Sequence, residues 1–473
     1  MNGEFQLYLG GDFCSTKDQL PVINPFTGKT IAHTYLAGKA ELDLAIEKAL
    51  EVKENLIDLP SGKKYTILMQ IAAGLKDARE YFAEIIMLES GKPIRYALGE
   101  VDRAIQTFTV AAEETKRLPG EYLDIEWSAA GEGKEAIVRY FPLGLVAGIA
   151  PFNFPLNLAV HKLAPAIAAG CPIILKPSSS TPLTTLALAR IINETDLPKG
   201  AVSILPMNRE TGNSMVSDER FALLTFTGSP AVGWKMKAEA GKKKVVLELG
   251  GNAGLIVTES ADLDRAVAKS LVGSFAYSGQ VCIHTQRILV QEDVFDDFTG
   301  KFIKGVKSLK SGDPADVQTD ISTMIDEDNA KRVEEWVQEA VEGGAKVLAG
   351  GKRDGGYFEP TVLTGTSNSM KVCSLEIFGP VVTIEKYKEF NLALEYINDS
   401  RYGLQAGVFT DKISEMNQAF RHLEVGGIMI NDIPGFRVDH MPYGGVKDSG
   451  FGREGVKYSI HHMLEPRLLV KNR

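Results

Sequence analysis

Alternation is what most constrains how this chain can fold. Five short runs rich in apolar and β-branched residues, 145–150, 172–176, 201–205, 223–226 and 245–249, are separated by helical segments. Strands that alternate with helices predict βαβ units and a mostly parallel sheet. Upstream, Leu42, Ala45, Ile46, Ala49 and Leu50 share one helical face, and Ile67, Leu68, Ile71 and Leu75 repeat that pattern within 64–79. A second α/β series begins after Gly251, with strands expected at 255–257, 288–290, 406–409 and 427–430 and helices at 262–275 and 330–343. A chain of 473 residues exceeds what one hydrophobic core usually supports, so two or three domains are expected. Residues 135–140 alternate polar and apolar like an exposed antiparallel strand, and 465–470 also read as extended. Two such strands outside the main sheets could form an assembly edge.

Composition excludes several classes of partner. Net charge is −9 and no long basic run occurs, which argues against a nucleic acid or an anionic membrane surface. The longest uncharged run, 143–160, holds two prolines and two asparagines, so no membrane span is expected. The opening MNGEFQLYLGGDF lacks a basic region followed by an apolar core, so no secretory signal is expected. Cys14, Cys171, Cys282 and Cys373 are scattered, with neither a CxxC pair nor a Cys/His metal spacing. Reduced thiols, a cytoplasmic protein and no metal site follow as expectations.

Three residues carry the chemistry. Cys282 lies in SFAYSGQVCIHTQR, a glycine-flanked and mostly uncharged stretch. Glu248 ends a strand-like run directly before Leu-Gly-Gly, and Asn153 stands between two prolines in APFNFP. A thiol, a carboxylate and an amide can attack a carbonyl, activate a water and stabilise an oxyanion. Each has a simpler explanation: a buried free cysteine, an ion-paired carboxylate, a turn asparagine. Two further features suggest a nucleotide. The TGSPAVG turn, with Gly228, Ser229 and Gly233, links a strand to a helix and could cradle a pyrophosphate, although GxGxxG is absent. Lys176 stands at the carboxyl end of an expected parallel strand, where such sheets bind ligands.

In these stretches the chain resembles the aldehyde dehydrogenase superfamily. The matching motifs are PFNFP at 151–155, LKPSSSTPL at 175–183, FTGSPAVG at 226–233, LELGGN at 247–252, GQVC at 279–282, LEIFGP at 375–380 and MPYGGVKDSGFGREG at 441–455. The resemblance implies an α/β fold with a Rossmann-type cofactor domain from 1–126 and 147–250 and a catalytic domain from 251–445. It also implies an oligomerisation element from a β-hairpin at 127–146 with the tail 446–473, and a homodimer or homotetramer. Cys282 then resembles the nucleophile, Asn153 the oxyanion donor and Glu248 the base that activates water for thioester hydrolysis. Glu376 and Phe378 resemble the residues that position the nicotinamide ribose and ring. Lys176 resembles the adenosine-ribose contact, and Phe152 and Leu249 belong with the cofactor site.

The departures from the family are informative. Pro230 and Ala231 stand where the family often has a glutamate. Val281 precedes the cysteine where relatives that oxidise phosphorylated aldehydes tend to carry arginine. Glu248 is absent from relatives that acylate coenzyme A, so hydrolysis to a free acid is expected. A coenzyme-A-acylating enzyme and a non-catalytic scaffold protein are the alternatives. Ser179 stands where NAD-strict relatives often place a glutamate that repels a 2′-phosphate, so both NAD and NADP are expected as cofactors; Ser179 could also cap the next helix. Bulky-aldehyde relatives line their tunnel with aromatics, whereas Leu158 and His161 occupy those positions here. Arg103, Arg437 and His440 fall where related enzymes contact the far end of the substrate, which implies a small polar or anionic aldehyde such as lactaldehyde, glycolaldehyde or succinic semialdehyde. Pairing of Arg103 with Glu100 or Glu113 on its own helix is the simpler alternative.

Overall fold

A computed structural model describes residues 3–473, so the first two residues of the expected cofactor segment lie outside it. The first sheet has eight strands, in the order Gly450–Phe451, Lys244–Glu248, Leu223–Thr227, Val146–Ile149, Ile173–Lys176, Val202–Ile204, Leu7–Leu9 and Asp12–Cys14. The five central strands run parallel and the flanking ones antiparallel. Leu223–Thr227 and Val146–Ile149 are buried at every position, as strands covered by helices on both faces must be.

A second sheet of seven strands runs in the order Lys346–Ala349, Thr361–Thr364, Val381–Tyr387, Thr285–Gln291, Ala253–Val257, Gln405–Phe409 and Gly427–Ile430. Only the edge strand Lys346–Ala349 is antiparallel. The third sheet is antiparallel, with Leu464–Asn472 beside Lys134–Pro142 and Lys134–Pro142 beside Gly120–Leu123.

Two boundaries differ from the sequence expectation. The strand Gly120–Leu123 joins the three-stranded sheet although it lies within 1–126. Part of the tail 446–473 is tied to the two larger bodies. Val446–Lys447 pairs with Tyr402–Gly403, and Gly450–Phe451 pairs with the Glu248 strand. The helix Val456–His462 packs against Asn157–Ala169 and Ile94–Glu114, and its Val456 and Ile460 join the core of the first body. Two-residue pairings and a seven-residue helix carry too weak a periodic signal to be read in sequence.

The helix Asn157–Ala169 is buried along its whole length, which explains why its sequence is apolar all round. Its amino end is covered by the Glu100 carboxylate, which accepts from the Leu156 and Asn157 amides at 2.9 and 3.1 Å. Glu100 pairs in turn with Lys92, and both side chains are wholly buried. Glu89 does the same for the helix Leu183–Asn193 by accepting from the Leu183 and Thr184 amides. Capping by Ser179 is therefore corrected: the side chain is exposed, Pro182 holds the cap position, and a distant glutamate supplies the acceptor. No helix among the described residues is long and apolar enough to cross a membrane.

Candidate active site

The carboxyl ends of the first sheet face the loops that enter the second. A cavity of about 750 Å³ opens there, and Asn153, Glu248, Cys282, Glu376 and Phe378 all line it. The first sheet supplies Asn153 after Val146–Ile149, Gly228 after Leu223–Thr227, and Glu248 itself. The loops before Thr285–Gln291 and Val381–Tyr387 supply Cys282, Glu376 and Phe378.

Cys282 follows a segment with unusual backbone. Tyr277 and Ser278 have φ of 50° and 52°, where a non-glycine residue persists only if its surroundings enforce it. Here they do. Tyr277 donates its hydroxyl to the Ser90 carbonyl at 3.2 Å, Ser278 donates to the Ser322 carbonyl at 2.8 Å, and Gln280 Oε1 accepts from the Ile325 amide at 2.9 Å. At Gly279, with φ of 69°, a Cβ would lie 2.1 Å from the Gly379 carbonyl oxygen, so no other residue fits. The segment delivers Cys282 Sγ to within 3.0 Å of the Tyr443 hydroxyl. Burial pushes the thiol up to about 11, although Tyr443 and Arg437 favour the thiolate. Asn153 donates Nδ2 to the Gln280 carbonyl at 2.9 Å, which fixes the amide two residues from the cysteine.

Glu248 is buried, and only its Oε1 has a partner, the Glu454 amide at 3.2 Å; Oε2 has none. Burial, and then repulsion from Glu454, push its carboxyl well above the usual range. Glu454 behaves oppositely. Against its own burial, Lys162 and its other basic neighbours hold it down to about 2. Its Oε1 lies 3.2 Å from Lys162 Nζ and its Oε2 3.2 Å from Arg437 Nη2.

Of the expected cofactor residues, Phe152, Gly228, Ser229, Leu249, Glu376 and Phe378 line the same cavity, and Lys176, Ser179 and Gly233 do not. Glu376 Oε1 accepts from the Gly251 amide at 3.1 Å, and burial raises its carboxyl to about 7. A Cβ on Gly250 would meet Glu376 Oε2 at 2.0 Å. Phe378, at φ 45°, meets Phe152 edge-on with ring centroids 5.8 Å apart. Gly228, Ser229 and Leu249 line the cavity where the helix Pro230–Glu239 starts. Gly233 lets that helix sit against Leu249, because a Cβ there would lie 2.4 Å from Leu249 Cδ2. Lys176 stands at the carboxyl end of its strand with no hydrogen bond or ion pair from Nζ among the described residues, and burial lowers its pKa. An unpaired ammonium, a glycine turn at a helix start and a carboxylate with a free oxygen suit the ribose and phosphates of NAD(P).

The expected substrate residues divide. Leu158 lines the cavity. Arg103 is 30% exposed and grips Asp439 through Nη2–Oδ1 at 2.7 Å and Nε–Oδ2 at 3.3 Å. Its alternative pairing with Glu100 or Glu113 is not formed, because Lys92 and the helix amides take Glu100 and Lys116 takes Glu113. The guanidinium of Arg437 lies 3.7 Å from the centroid of the Tyr443 ring, and its buried Nε has no hydrogen-bond partner, with Asp439 Oδ1 4.0 Å away. The other placements are corrected: neither arginine lines the cavity, and the two histidines also lie outside its lining. His161 is wholly buried and does not reach the cavity; its Nε2 lies 2.7 Å from Asp439 Oδ1. His440 is exposed and does not line the cavity.

Several lining residues were not anticipated from sequence. Arg332 and Trp336 stack at 4.9 Å across one turn of the helix Glu327–Glu342, a spacing of four that could have been noticed. Arg401 and Asp448 pair at 2.6 Å across the cavity mouth, and Trp234 donates to the Asp448 carbonyl at 3.3 Å. Tyr443 and Glu454 lie within a recognised motif, but nothing in their spacing marks them as partners of Cys282 and Glu248.

Residues 13–469 match the family model described as "Aldehyde dehydrogenase family". The chain is 43% identical to a 3-sulfolactaldehyde dehydrogenase of Priestia aryabhattai, covering 99% of this chain and 98% of that one. It superposes on aldehyde dehydrogenase 21 of Physcomitrella patens, solved in complex with the product succinate, with a TM-score of 0.98, 44% identity and coverage of 100% and 99%. A glyceraldehyde-3-phosphate dehydrogenase of Methanocaldococcus jannaschii, complexed with NADP, gives a TM-score of 0.93 at 39% identity, with coverage of 97% and 100%. The chain belongs to the aldehyde dehydrogenase family and is an NAD(P)-dependent aldehyde dehydrogenase.

Proposed function

We propose that this enzyme oxidises a small anionic aldehyde to the free acid, with Cys282 as nucleophile, Asn153 as oxyanion donor and Glu248 as the base for hydrolysis. The observation that carries the anionic preference is Arg437, stacked on the ring whose hydroxyl touches Cys282 Sγ, with a buried Nε that lacks a hydrogen-bond partner. Three cations, Arg103, Lys162 and Arg437, face two charged carboxylates, Asp439 and Glu454, while burial favours the neutral form of Glu248. The surplus is positive, so a substrate anion would complete the balance. The names of similar proteins agree: one acts on 3-sulfolactaldehyde and another holds succinate.

Bound NAD(P) supplies the hydride acceptor; Lys176, Ser179, the Gly228–Ser229 turn, Glu376 and Phe378 would hold it. Cys282 attacks the carbonyl as a thiolate. Asn153 keeps one amide hydrogen on the Gln280 carbonyl and has its second for the developing oxyanion. Glu248 takes a proton from water at its unpartnered Oε2, so that the water can release the acyl group from Cys282. The presence of Glu248 favours hydrolysis over transfer to coenzyme A.

We further propose a cytoplasmic homodimer or homotetramer. The edge strand Leu464–Asn472 exposes Leu468, Leu469 and Val470, and Tyr122 and Trp127 are exposed nearby in sequence to the other strands of its sheet. The substrate proposal is tested by comparing succinic semialdehyde with butyraldehyde in Arg437→Met. Loss of a charged contact is worth about 2–3 kcal/mol, so the ratio of kcat/KM for the two should fall by about 30–150-fold. An unchanged ratio in both Arg437→Met and Arg103→Met would refute it.

A further inference from the structure

We infer that Asp439 is the positioning residue of the substrate's charged end, holding Arg103 with one edge of its guanidinium fixed and the other free. The inference rests on the anionic reading above. Asp439 is 1% exposed, and its carboxylate accepts hydrogen bonds from three side chains. Oδ1 accepts from Arg103 Nη2 at 2.7 Å, from His161 Nε2 at 2.7 Å and from Asn157 Nδ2 at 3.4 Å; Oδ2 accepts from Arg103 Nε at 3.3 Å. Asn157 is itself fixed, because its Oδ1 accepts from Thr107 at 3.2 Å. Arg103 is thus tied through Nε and Nη2, while Nη1 has no partner among the described residues.

The His161 contact has a consequence for Arg437. Asp439 is held far below the usual carboxylate range by hydrogen bonds from His161 and Arg103, despite its burial, so it is charged and can only accept. His161 Nε2 must therefore carry the hydrogen. It cannot also accept from Arg437 Nη2, which lies 3.3 Å away. Arg437 is left to Glu454, at 3.2 Å, to the Tyr443 ring, and to Asp439 itself, whose Oδ1 lies 4.0 Å from Arg437 Nε. One carboxylate thereby sets the orientation of Arg103 by hydrogen bonds, and acts on Arg437 both through His161 and by a longer ion pair at 4.0 Å.

Positioning and simple electrostatics predict opposite signs. If Asp439 only lowered the local potential, removing its charge would strengthen anion binding. If it positions Arg103, Asp439→Asn turns an amide N–H toward a guanidinium N–H, releases the arginine and weakens anion binding. The test is steady-state kinetics on the full-length enzyme with succinic semialdehyde and butyraldehyde, for Asp439→Asn, Asp439→Glu, Arg103→Met and the double variant Asp439→Asn/Arg103→Met. The inference expects Asp439→Asn to lower the succinic semialdehyde to butyraldehyde ratio of kcat/KM about tenfold or more, through KM, with no further fall in the double variant. Asp439→Glu, which keeps the charge, should recover part of the ratio. A lower KM for succinic semialdehyde in Asp439→Asn, or equal loss on both substrates, overturns the inference. If Arg103→Met lowers the ratio but Asp439→Asn does not, the inference fails while the anionic reading stands. If neither arginine variant changes the ratio, both fail.

Discussion

The pH dependence of Cys282 alkylation tests the resting state of the site. Burial raises the thiol from near 9 to about 11. At neutral pH that leaves about a hundredfold less thiolate, a cost of about 3 kcal/mol. The thiolate that does form is more nucleophilic. With a Brønsted coefficient of about 0.4–0.5, two pH units return roughly six- to tenfold. The cofactor-free enzyme should therefore react with iodoacetamide about tenfold more slowly than an exposed cysteine at pH 7, and its rate should rise about tenfold per pH unit to near pH 11. Peptide mass spectrometry resolves Cys282 from half-buried Cys14, while Cys171 and Cys373 are buried. Tyr443→Phe sharpens the test. It removes the 3.0 Å hydrogen bond that favours the thiolate. A bond to a charged group is worth about 1.5–3 kcal/mol, and after the same gain in nucleophilicity alkylation at a fixed pH below 9 should slow about 4–20-fold. A rate that levels off between pH 7 and 9, or one that Tyr443→Phe leaves unchanged, would refute the assignment of a desolvated, protonated resting thiol.

Three further outcomes follow from the same geometry. Glu248→Gln should give a burst of reduced cofactor and then turnover slower by about 10²–10⁴-fold, seen in stopped-flow absorbance. Because the Glu248 carboxyl is raised, its basic form grows with pH above the ordinary carboxylate range, so wild-type hydrolysis should climb with pH there and Glu248→Gln should lose that climb. NADP should be used within about a thousandfold of NAD, some 4 kcal/mol, and Ser179→Glu should lower NADP use selectively in initial-rate assays. Gly250→Ala should raise KM for the cofactor, because its Cβ would sit 2.0 Å from Glu376 Oε2 and displace that carboxylate; an unchanged KM would contradict it.

The central strands were legible because their burial leaves a local mark. Residues 223–226 and, apart from Glu248, residues 245–249 are apolar or β-branched on both faces, and the structure places strands at Leu223–Thr227 and Lys244–Glu248. The convergence of Asn153, Glu248 and Cys282 was suggested by motif order, but their spacing came from elements more than a hundred residues apart, such as the Gln280 carbonyl beside Asn153. Charge partners were not legible. Glu100 and Arg103 lie on one helix turn, which suggested a local pair, but burial of Lys92 took Glu100 and a loop 336 residues away supplied Asp439. His161 faced the core because the helix Asn157–Ala169 has no solvent side, and a lone histidine in an apolar run does not reveal that.

The two neighbouring glutamates show how the site divides its labour. Glu248 and Glu454 are both buried and touch through a backbone amide. Two buried carboxylates in contact cannot both be ionised cheaply. What separates them is the distribution of cations. Lys162 and Arg437 each reach Glu454 at 3.2 Å, whereas the one hydrogen-bond partner of Glu248 among the described residues is that amide. Glu454 therefore carries the charge and Glu248 the proton, and environments that push two pKa values apart mark which group is free to exchange protons. The same Arg437 that stacks on Tyr443 beside Cys282 also helps to keep Glu454 ionised. A substrate anion that drew Arg437 toward itself would loosen its hold on Glu454 and let the shared negative charge pass more readily to Glu248. In the proposed mechanism, recognition of the charged end would then also prepare the base needed for the final hydrolysis.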